Sequence, residues 1–202
     1  VHDDVVDESD KRRGQSSVNA IYDNKVSVLV GDYLLATSLT NAAMTGDVRL
    51  VELVGRLGQE LSEGEIIQLN NTNASDFSEE VYFEVIKKKT AALFAASAQA
   101  GAISVKCADE MAEKAYQFGE LIGISFQIKD DILDVTSSFE KLGKSIGSDI
   151  ENGKTTYVTL LGVEECQKLV DKLTDDALKA LDAFENNEAL KEYALYLAKR
   201  DC

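Results

Sequence analysis

Hydrophobic residues recur at helical spacing along most of this chain, so the elements that the pattern predicts are helices. Residues 18–45 are apolar on more than one face, which predicts a buried helix. Gly46-Asp47 interrupts the pattern, and residues 48–69 continue as a second helix. Residues 70–78 are polar and predict a loop, from which Asp76 and Glu79 open the next helix as a capping pair.

The second half of the chain continues the helical pattern. Small residues from Ala91 to Ala102 either let two helices pack closely or leave an open apolar trough. Residues 108–135 predict a long amphipathic helix, and 156–202 predict two or three shorter ones. Between them, 137–154 form a connection rich in Gly and Ser. Because every β-branched run lies inside helical periodicity, the chain is predicted to be an all-α bundle.

Length and composition narrow the possibilities. With 202 residues, of which 45% are apolar, the chain is predicted to be a single domain, 1–202. The acidic sequence that starts two residues after Val1 has no lead-in and no initiator Met, so we expect a natural N-terminal segment to be missing. The net charge of −15 argues against nucleic acid as a partner. No stretch approaches the 18 or so apolar residues of a transmembrane helix, and three scattered cysteines favour a reduced, cytoplasmic protein.

Two acidic pentads with the pattern D-D-x-x-D are the strongest candidate chemistry. The first pentad is Asp3-Asp4-Val5-Val6-Asp7, and the second is Asp130-Asp131-Ile132-Leu133-Asp134. On a helix, the first and fifth acids of each share one face, where like charges repel. Mg²⁺ would remove this repulsion, because it binds carboxylate oxygens and is commonly completed by substrate phosphates. A solvated acidic surface is the alternative, but apolar residues flank both pentads.

Basic residues near these acids suggest a phosphate ligand. Arg12 and Arg13 follow the first pentad, where they either neutralise it or present forked donors to a diphosphate. Lys144 and Lys154 lie in the Gly-rich connection, which is either a phosphate-binding lid or a plain linker. The only histidine, His2, abuts the first pentad and is interpreted as a supporting or packing residue.

The order of these motifs resembles that of the trans-isoprenyl diphosphate synthases, the polyprenyl synthetase family, and within it the long-chain bacterial type. The matching segments run through residues 1–161 in the family's order. They are His2-Asp3-Asp4-Val5-Val6-Asp7-Glu8-Ser9, Arg12-Arg13-Gly14, Gly31-Asp32-Tyr33-Leu34, Lys89-Thr90, Phe126-Gln127 with Asp130 to Asp134, and Gly143-Lys144 through Asp149 to Lys154.

The resemblance implies an isoprenoid-synthase helical bundle around a central cavity, acting as a cytoplasmic homodimer through residues 18–61. It implies Mg²⁺-dependent, head-to-tail condensation of an allylic diphosphate with isopentenyl diphosphate, giving an octaprenyl-type product. By the same resemblance Asp3 and Asp7 bind two Mg²⁺ ions and Asp130 binds a third, with Asp4, Asp131 and Asp134 supporting. Thr90 and Gln127 would face the developing allylic cation. The diphosphate-binding residues would be Arg12, Arg13 (for isopentenyl diphosphate), Lys89, Lys144 and Lys154.

Two departures from the family pattern accompany this resemblance. The upstream segment and histidine with which family members bind isopentenyl diphosphate are absent, so the chain as given is expected to lack part of that site. Gln15-Ser16-Ser17 also stands where a proline usually follows Arg-Arg-Gly. Two other functions stay open: a class I terpene synthase, which shares the fold, and a non-catalytic subunit of a heteromeric prenyl synthase.

Overall fold

The computed structural model describes residues 1–71, 78–142 and 157–201. By its internal contacts the chain divides into two compact units, Val1–Gly55 and Arg56–Cys202. Within the described residues, ten α-helices and one π turn account for nearly all of the regular structure, so the predicted all-α class is confirmed. None of the described helices is both long and apolar enough to cross a lipid bilayer.

The first unit begins with a short helix and a hairpin. Helix α1 spans His2–Val6, and strands β1 (Lys11–Arg12) and β2 (Gln15–Ser16) pair in antiparallel fashion. The two turn residues, Arg13 and Gly14, both have positive φ angles of 52° and 78°, which is the backbone of a tight two-residue hairpin turn. The sequence predicted no strand here, because two-residue strands carry no periodic signal.

The helix predicted over residues 18–45 is broken near its start. Helix α2 covers Val18–Ile21, and α3 covers Asn24–Met44. Asp23 separates them as the N-cap of α3, since its carboxylate accepts a hydrogen bond from the Val26 backbone N–H at 2.7 Å. Gly46, at φ 75°, then ends the run before α4, Val48–Asn71, begins.

Helix α3 is not the buried helix that its sequence predicts. Most of its large apolar side chains are exposed, and its buried residues are only Ser27, Gly31 and Ala42. The exposed side chains include Val26, Val28, Leu29, Tyr33, Leu34, Leu35 and Met44. The prediction is therefore wrong for a single copy of the chain, and the apolar surface of α3 is left without a cover.

The second unit is built around one long helix. Helix α5 spans Glu79–Ile86, a π turn spans Lys87–Ala91, α6 spans Ala92–Ser104 and α7 spans Asp109–Leu142. Three more helices follow, α8 (Tyr157–Leu161), α9 (Val163–Leu181) and α10 (Glu188–Lys199). This agrees with the predicted C-terminal helices. Helix α7 packs against α6 on one side and α9 on another.

Two local details differ from the sequence prediction. Ser78 caps α5 by accepting a hydrogen bond from the Val81 N–H at 3.3 Å, and the capping residue that the sequence predicted, Asp76, lies outside the described residues. Helix α7 continues through Leu142, so the connection predicted from residue 137 begins several residues later.

The alanine run of α6 packs against α7. Ala91 and Ala95 are fully buried, and a Cβ atom added at Gly119 or Gly123 would collide with the backbone of this run. Small side chains on both helices therefore allow a close backbone approach. Of the two readings of the run, packing is the one that these positions support.

Candidate active site

The first pentad lies on α1 and presents its acids unequally. Asp3 is half-buried, Asp4 is buried and Asp7 is exposed. Carboxylate oxygens of Asp3 and Asp7 lie within 4.8 Å of each other. The i, i+4 spacing on a helix puts both on one side, where they can approach a shared cation.

Arg12 connects the hairpin to the first pentad. Its Nε donates to Asp4 Oδ1 at 2.5 Å, and its Nη2 donates to Asp3 Oδ2 at 2.9 Å. The hydrogen bond from Arg12 is the main cause that lowers the pKa of Asp4, and the same contact raises the pKa of the guanidinium. Arg12 therefore pairs with two acids of the first pentad, a contact that fits both sequence interpretations of this residue. Arg13, at the hairpin turn, is exposed.

His2 and Gly31 explain how α1 sits on α3. The His2 Nε2 lies 2.9 Å from the Val28 carbonyl oxygen and 3.2 Å from Asp32 Oδ1. A Cβ atom at position 31 would overlap the imidazole ring. Gly31 is therefore required for this close packing, and His2 has the packing role that the sequence suggested.

The second pentad repeats the burial order of the first. On α7, Asp130 is half-buried, Asp131 is buried and Asp134 is exposed. Burial raises the pKa of Asp130, with Asp134 adding to the effect and Arg200 opposing it. Burial is also the main cause that raises the pKa of Asp131. In each pentad the second acid is thus held inside the protein, while the first and fifth remain accessible.

Asp131 is the end of a hydrogen-bonded chain. Tyr82 of α5 donates its hydroxyl to Asp131 Oδ2, and Gln127 Nε2 donates to Asp131 Oδ1 at 3.2 Å. Thr90 in the π turn donates to Gln127 Oε1 at 3.0 Å. The predicted residues Thr90 and Gln127 are therefore brought together with the second pentad. Tyr82 was missed, and its only sequence signal is a polar-tipped aromatic in an apolar run.

Two lysines of the π turn, Lys88 and Lys89, form ion pairs with acids of α4. Lys89 is paired with Glu65 and donates to Gln68 at 3.1 Å, and Lys88 pairs with Glu63 at 2.7 Å. A π turn inside an α-helix often marks a functional site. The sequence predicted a continuous helix here, because one extra residue in a turn leaves no visible pattern.

Arg200 reaches the second pentad from beyond α10. Its guanidinium donates to the Asp130 carboxylate and, at 3.1 Å, to the Phe126 carbonyl oxygen, and it lies 3.7 Å from the centroid of the Phe126 ring. The sequence assigned no chemistry to residues 156–202, so this contact was missed. A lone Arg after the last helix is its only signal. Lys144 and Lys154, predicted to bind diphosphate, lie outside the described residues.

The fold and the site define the class of protein: an all-α protein that carries two acidic sites on helices. In both sites the second acid is buried and the first and fifth are accessible. The donor set fits a hard divalent cation, because accessible carboxylate oxygens are the protein ligands that Mg²⁺ prefers. Comparison with known proteins then identifies the family: residues 1–197 match the model of the Polyprenyl synthetase family. The chain belongs to that family.

Individual relatives agree with this assignment. The chain is 41% identical to the octaprenyl diphosphate synthase of Escherichia coli, with 79% of this chain and 50% of that protein aligned. It is 34% identical to heptaprenyl diphosphate synthase component 2 of Geobacillus stearothermophilus, covering all of this chain and 74% of that one. The crystal structure of a decaprenyl diphosphate synthase from Rhodobacter capsulatus superposes with a TM-score of 0.84 at 32% identity, covering all of this chain and 74% of that one. The chain thus spans half to three quarters of the length of these proteins.

Proposed function

We propose that the protein carrying this chain condenses an allylic diphosphate with isopentenyl diphosphate, head to tail, to give a long-chain polyprenyl diphosphate. The observation that carries this proposal is the matching pair of pentads, in which the second acid is buried and the first and fifth stay accessible. Two carboxylate sites of this kind suit a substrate whose diphosphate is held through divalent metal ions.

In this proposal Asp3, Asp7 and Asp130 are the direct ligands of three Mg²⁺ ions, and Asp134 supports them. Asp4 and Asp131 support from inside, since both are hydrogen-bonded to neighbouring side chains. The bound ions would stabilise the negative charge that develops on the leaving diphosphate.

The basic residues position the diphosphates. Arg12 and Lys89 are each held by acids, Arg12 by Asp3 and Asp4 and Lys89 by Glu65, so their side chains are ordered before a ligand arrives. Forked guanidinium donors suit phosphate oxygens. Arg13, Lys144 and Lys154 complete the proposed set.

Thr90 and Gln127 act on the other side of the breaking bond. When the allylic carbon loses its diphosphate it becomes a cation, which is stabilised by oriented oxygen atoms in a site that excludes water. The hydroxyl of Thr90 and the amide of Gln127 are joined by a 3.0 Å hydrogen bond and supply such oxygens. Helices α5 and α7 also contribute Ile86, Ile124 and Ile128 to the buried apolar core.

Incubation of the full-length protein with labelled isopentenyl diphosphate and an allylic primer tests the reaction. We expect Mg²⁺-dependent elongation to a product of seven or eight isoprene units, by analogy with the heptaprenyl and octaprenyl synthases. A cyclised hydrocarbon without elongation would instead indicate a terpene synthase. Asp175→Ala is a suitable control variant, because Asp175 is an exposed acid of α9 outside both pentads.

Partner chains form the second part of the proposal. Exposed apolar residues on α3, such as Leu29 at 67% and Tyr33 at 71% exposure, favour a homodimer through residues 18–61. Sedimentation at micromolar concentration should show a dimer that Leu29→Glu weakens and that Gln117→Glu, at an exposed position of α7 outside residues 18–61, does not. A sample that is monomeric throughout this range contradicts the proposal.

The name of the Geobacillus relative, component 2, favours one further candidate, a subunit of a two-component synthase. Elongation by the purified protein alone would exclude this reading. Elongation only after a second chain is added would support it. We place the protein in the cytoplasm, since three cysteines scattered without metal-ligand spacing favour a reduced protein.

A further inference from the structure

The hydrogen-bonded chain from Tyr82 to Thr90 has a defined direction. As a carboxylate, Asp131 can only accept hydrogen bonds, so the group that Gln127 turns toward it must be its NH₂. The amide oxygen of Gln127 then faces Thr90, whose hydroxyl hydrogen points at it. All donors in this series of hydrogen bonds point toward Asp131. The lone pairs of the Thr90 hydroxyl oxygen remain at the opposite end of the series.

If these hydrogen bonds ran in the reverse direction, Thr90 would have the opposite effect on a nearby positive charge. If the Gln127 amide were flipped, its NH₂ would donate to Thr90, and the Thr90 hydrogen would be turned outward. An outward hydrogen repels a developing carbocation, whereas an outward lone pair stabilises it. The orientation of the half-buried Gln127 amide therefore decides whether the Thr90 hydroxyl stabilises or destabilises the cation.

Asp131 is held in place by groups other than Gln127. The Tyr82 hydroxyl donates to its Oδ2, and the backbone at Tyr157 supplies another hydrogen bond. Burial, with the nearby Asp131 charge, raises the pKa of Tyr82, so the phenol keeps the proton that it donates. Tyr82 is itself fixed, because its ring stacks on that of Tyr157 with centroids 5.1 Å apart.

We propose that Tyr82 and Asp131 are positioning residues that set the direction of the Gln127 amide and thereby keep the lone pairs of Thr90 turned toward the reacting carbon. The role of Thr90 rests on the proposed function, whereas the orientation of Gln127 is a property of the folded chain. Tyr82 and Asp131 act through Gln127 and need not touch the substrate.

Tyr82→Phe is the sharpest test, because it removes one hydroxyl and keeps the ring. We expect kcat of the full-length enzyme to fall about tenfold, as for the loss of one hydrogen bond to a charged group, with both KM values unchanged. Tyr157→Phe is the matched control, because it removes a hydroxyl from the ring on which Tyr82 stacks. The Tyr157 hydroxyl donates to Glu79 at 2.5 Å and is not part of the hydrogen-bonded series from Tyr82 to Thr90. This variant should leave kcat unchanged.

A double-mutant cycle separates positioning from general stability. If Tyr82 acts through Gln127, Tyr82→Phe should have no further effect on kcat in a Gln127→Ala background. Additive losses in the double mutant would overturn the proposal.

Nuclear magnetic resonance of the Gln127 side-chain amide, assigned with Gln127→Ala, gives a readout that needs no substrate. The two N–H signals should move in Tyr82→Phe and in Asp131→Asn, and stay in place in Tyr157→Phe. Unchanged signals in the first two variants overturn the inference even if the enzyme elongates prenyl chains. Moved signals in a protein that transfers no prenyl group support the orientation and count against the proposed function alone.

Discussion

Arg200 donates a hydrogen bond to the carboxylate of Asp130 across 70 residues of sequence. The same guanidinium lies over the Phe126 ring, so a residue beyond the last helix is tied to the first acid of the second pentad. Arg200 is largely buried, while the Asp130 side chain is 38% exposed, and solvent therefore screens part of their attraction.

Replacing Arg200 with Met tests this contact. We expect the free energy of unfolding to fall by about 1–2 kcal/mol, because a half-buried acid loses its partner and the ring loses a cation. Urea denaturation measures the loss. A cycle with Asp130→Asn should give a coupling of about 1 kcal/mol. Lys168→Gln is the control, because it breaks the exposed pair with Glu165 and should change stability by less than about 0.5 kcal/mol. If Lys168→Gln destabilised the protein as much as the Arg200 variant does, the Arg200 contact would contribute no more than an exposed surface pair.

The pentad acids should differ in effect. Asp3→Ala and Asp130→Ala are each expected to lower turnover by about 10²–10³-fold, because each removes a proposed metal ligand. Helix content by circular dichroism should be unchanged, since neither residue is buried. Asp4→Ala should lower turnover less and stability more, because Asp4 is buried and hydrogen-bonded to Arg12. Wild-type turnover in either of the first two variants would contradict the ligand assignment.

Replacing glycine with alanine should change stability in opposite directions at two positions in neighbouring helices. At Gly123 of α7 a Cβ meets the backbone of Ala91, so Gly123→Ala should destabilise by about 1–3 kcal/mol. At Gly101 of α6 an added Cβ has no neighbour within 4 Å, so Gly101→Ala should stabilise by about 0.5–1 kcal/mol through helix propensity. Thermal unfolding of both variants checks the pair, and a change of the same sign in both would refute the close contact.

The alanine run offers a test of the trough hypothesis. Ala95 is fully buried where α6 approaches α7, so Ala95→Phe should destabilise by about 1–3 kcal/mol or more. Product length, measured in any folded fraction, is the second observable. A stable variant with a shortened product would show that this position lines a trough instead.

Cys166 should be unreactive in the folded protein. Burial, aided by the Asp131 charge, raises the pKa of its thiol to about 11, from an ordinary value of about 8.5. The folded state thus binds the proton more tightly, and this contribution to stability is complete below about pH 8.5 and is lost as pH rises toward 11.

Iodoacetamide at pH 8–9 should therefore modify Cys166 only after denaturation, and the urea-unfolded protein serves as the comparison. Urea unfolding at pH 8 and pH 10 measures the linkage. Rapid native alkylation of Cys166 would show that α9 is not packed as described.

The sequence by itself determined the helical class and the breaks between most elements. Helical periodicity and Gly46 predicted α4, and the long amphipathic pattern predicted α7, because burial of one helix face leaves a repeating record along the chain. The spacing of the pentads likewise placed Asp3 with Asp7 and Asp130 with Asp134. These properties depend on neighbours three or four residues apart, which a single sequence displays.

Tertiary structure alone decided which acid of each pentad is buried and what it contacts. Tyr82 and Arg200 meet the second pentad from two distant places on the chain, and no local pattern encodes a contact across 49 or 70 residues. The exposure of α3 is likewise invisible in its sequence, because periodicity shows that a face is apolar and not what covers it. Local spacing specifies a helix and its charges, while packing between distant segments selects the partners of each charge.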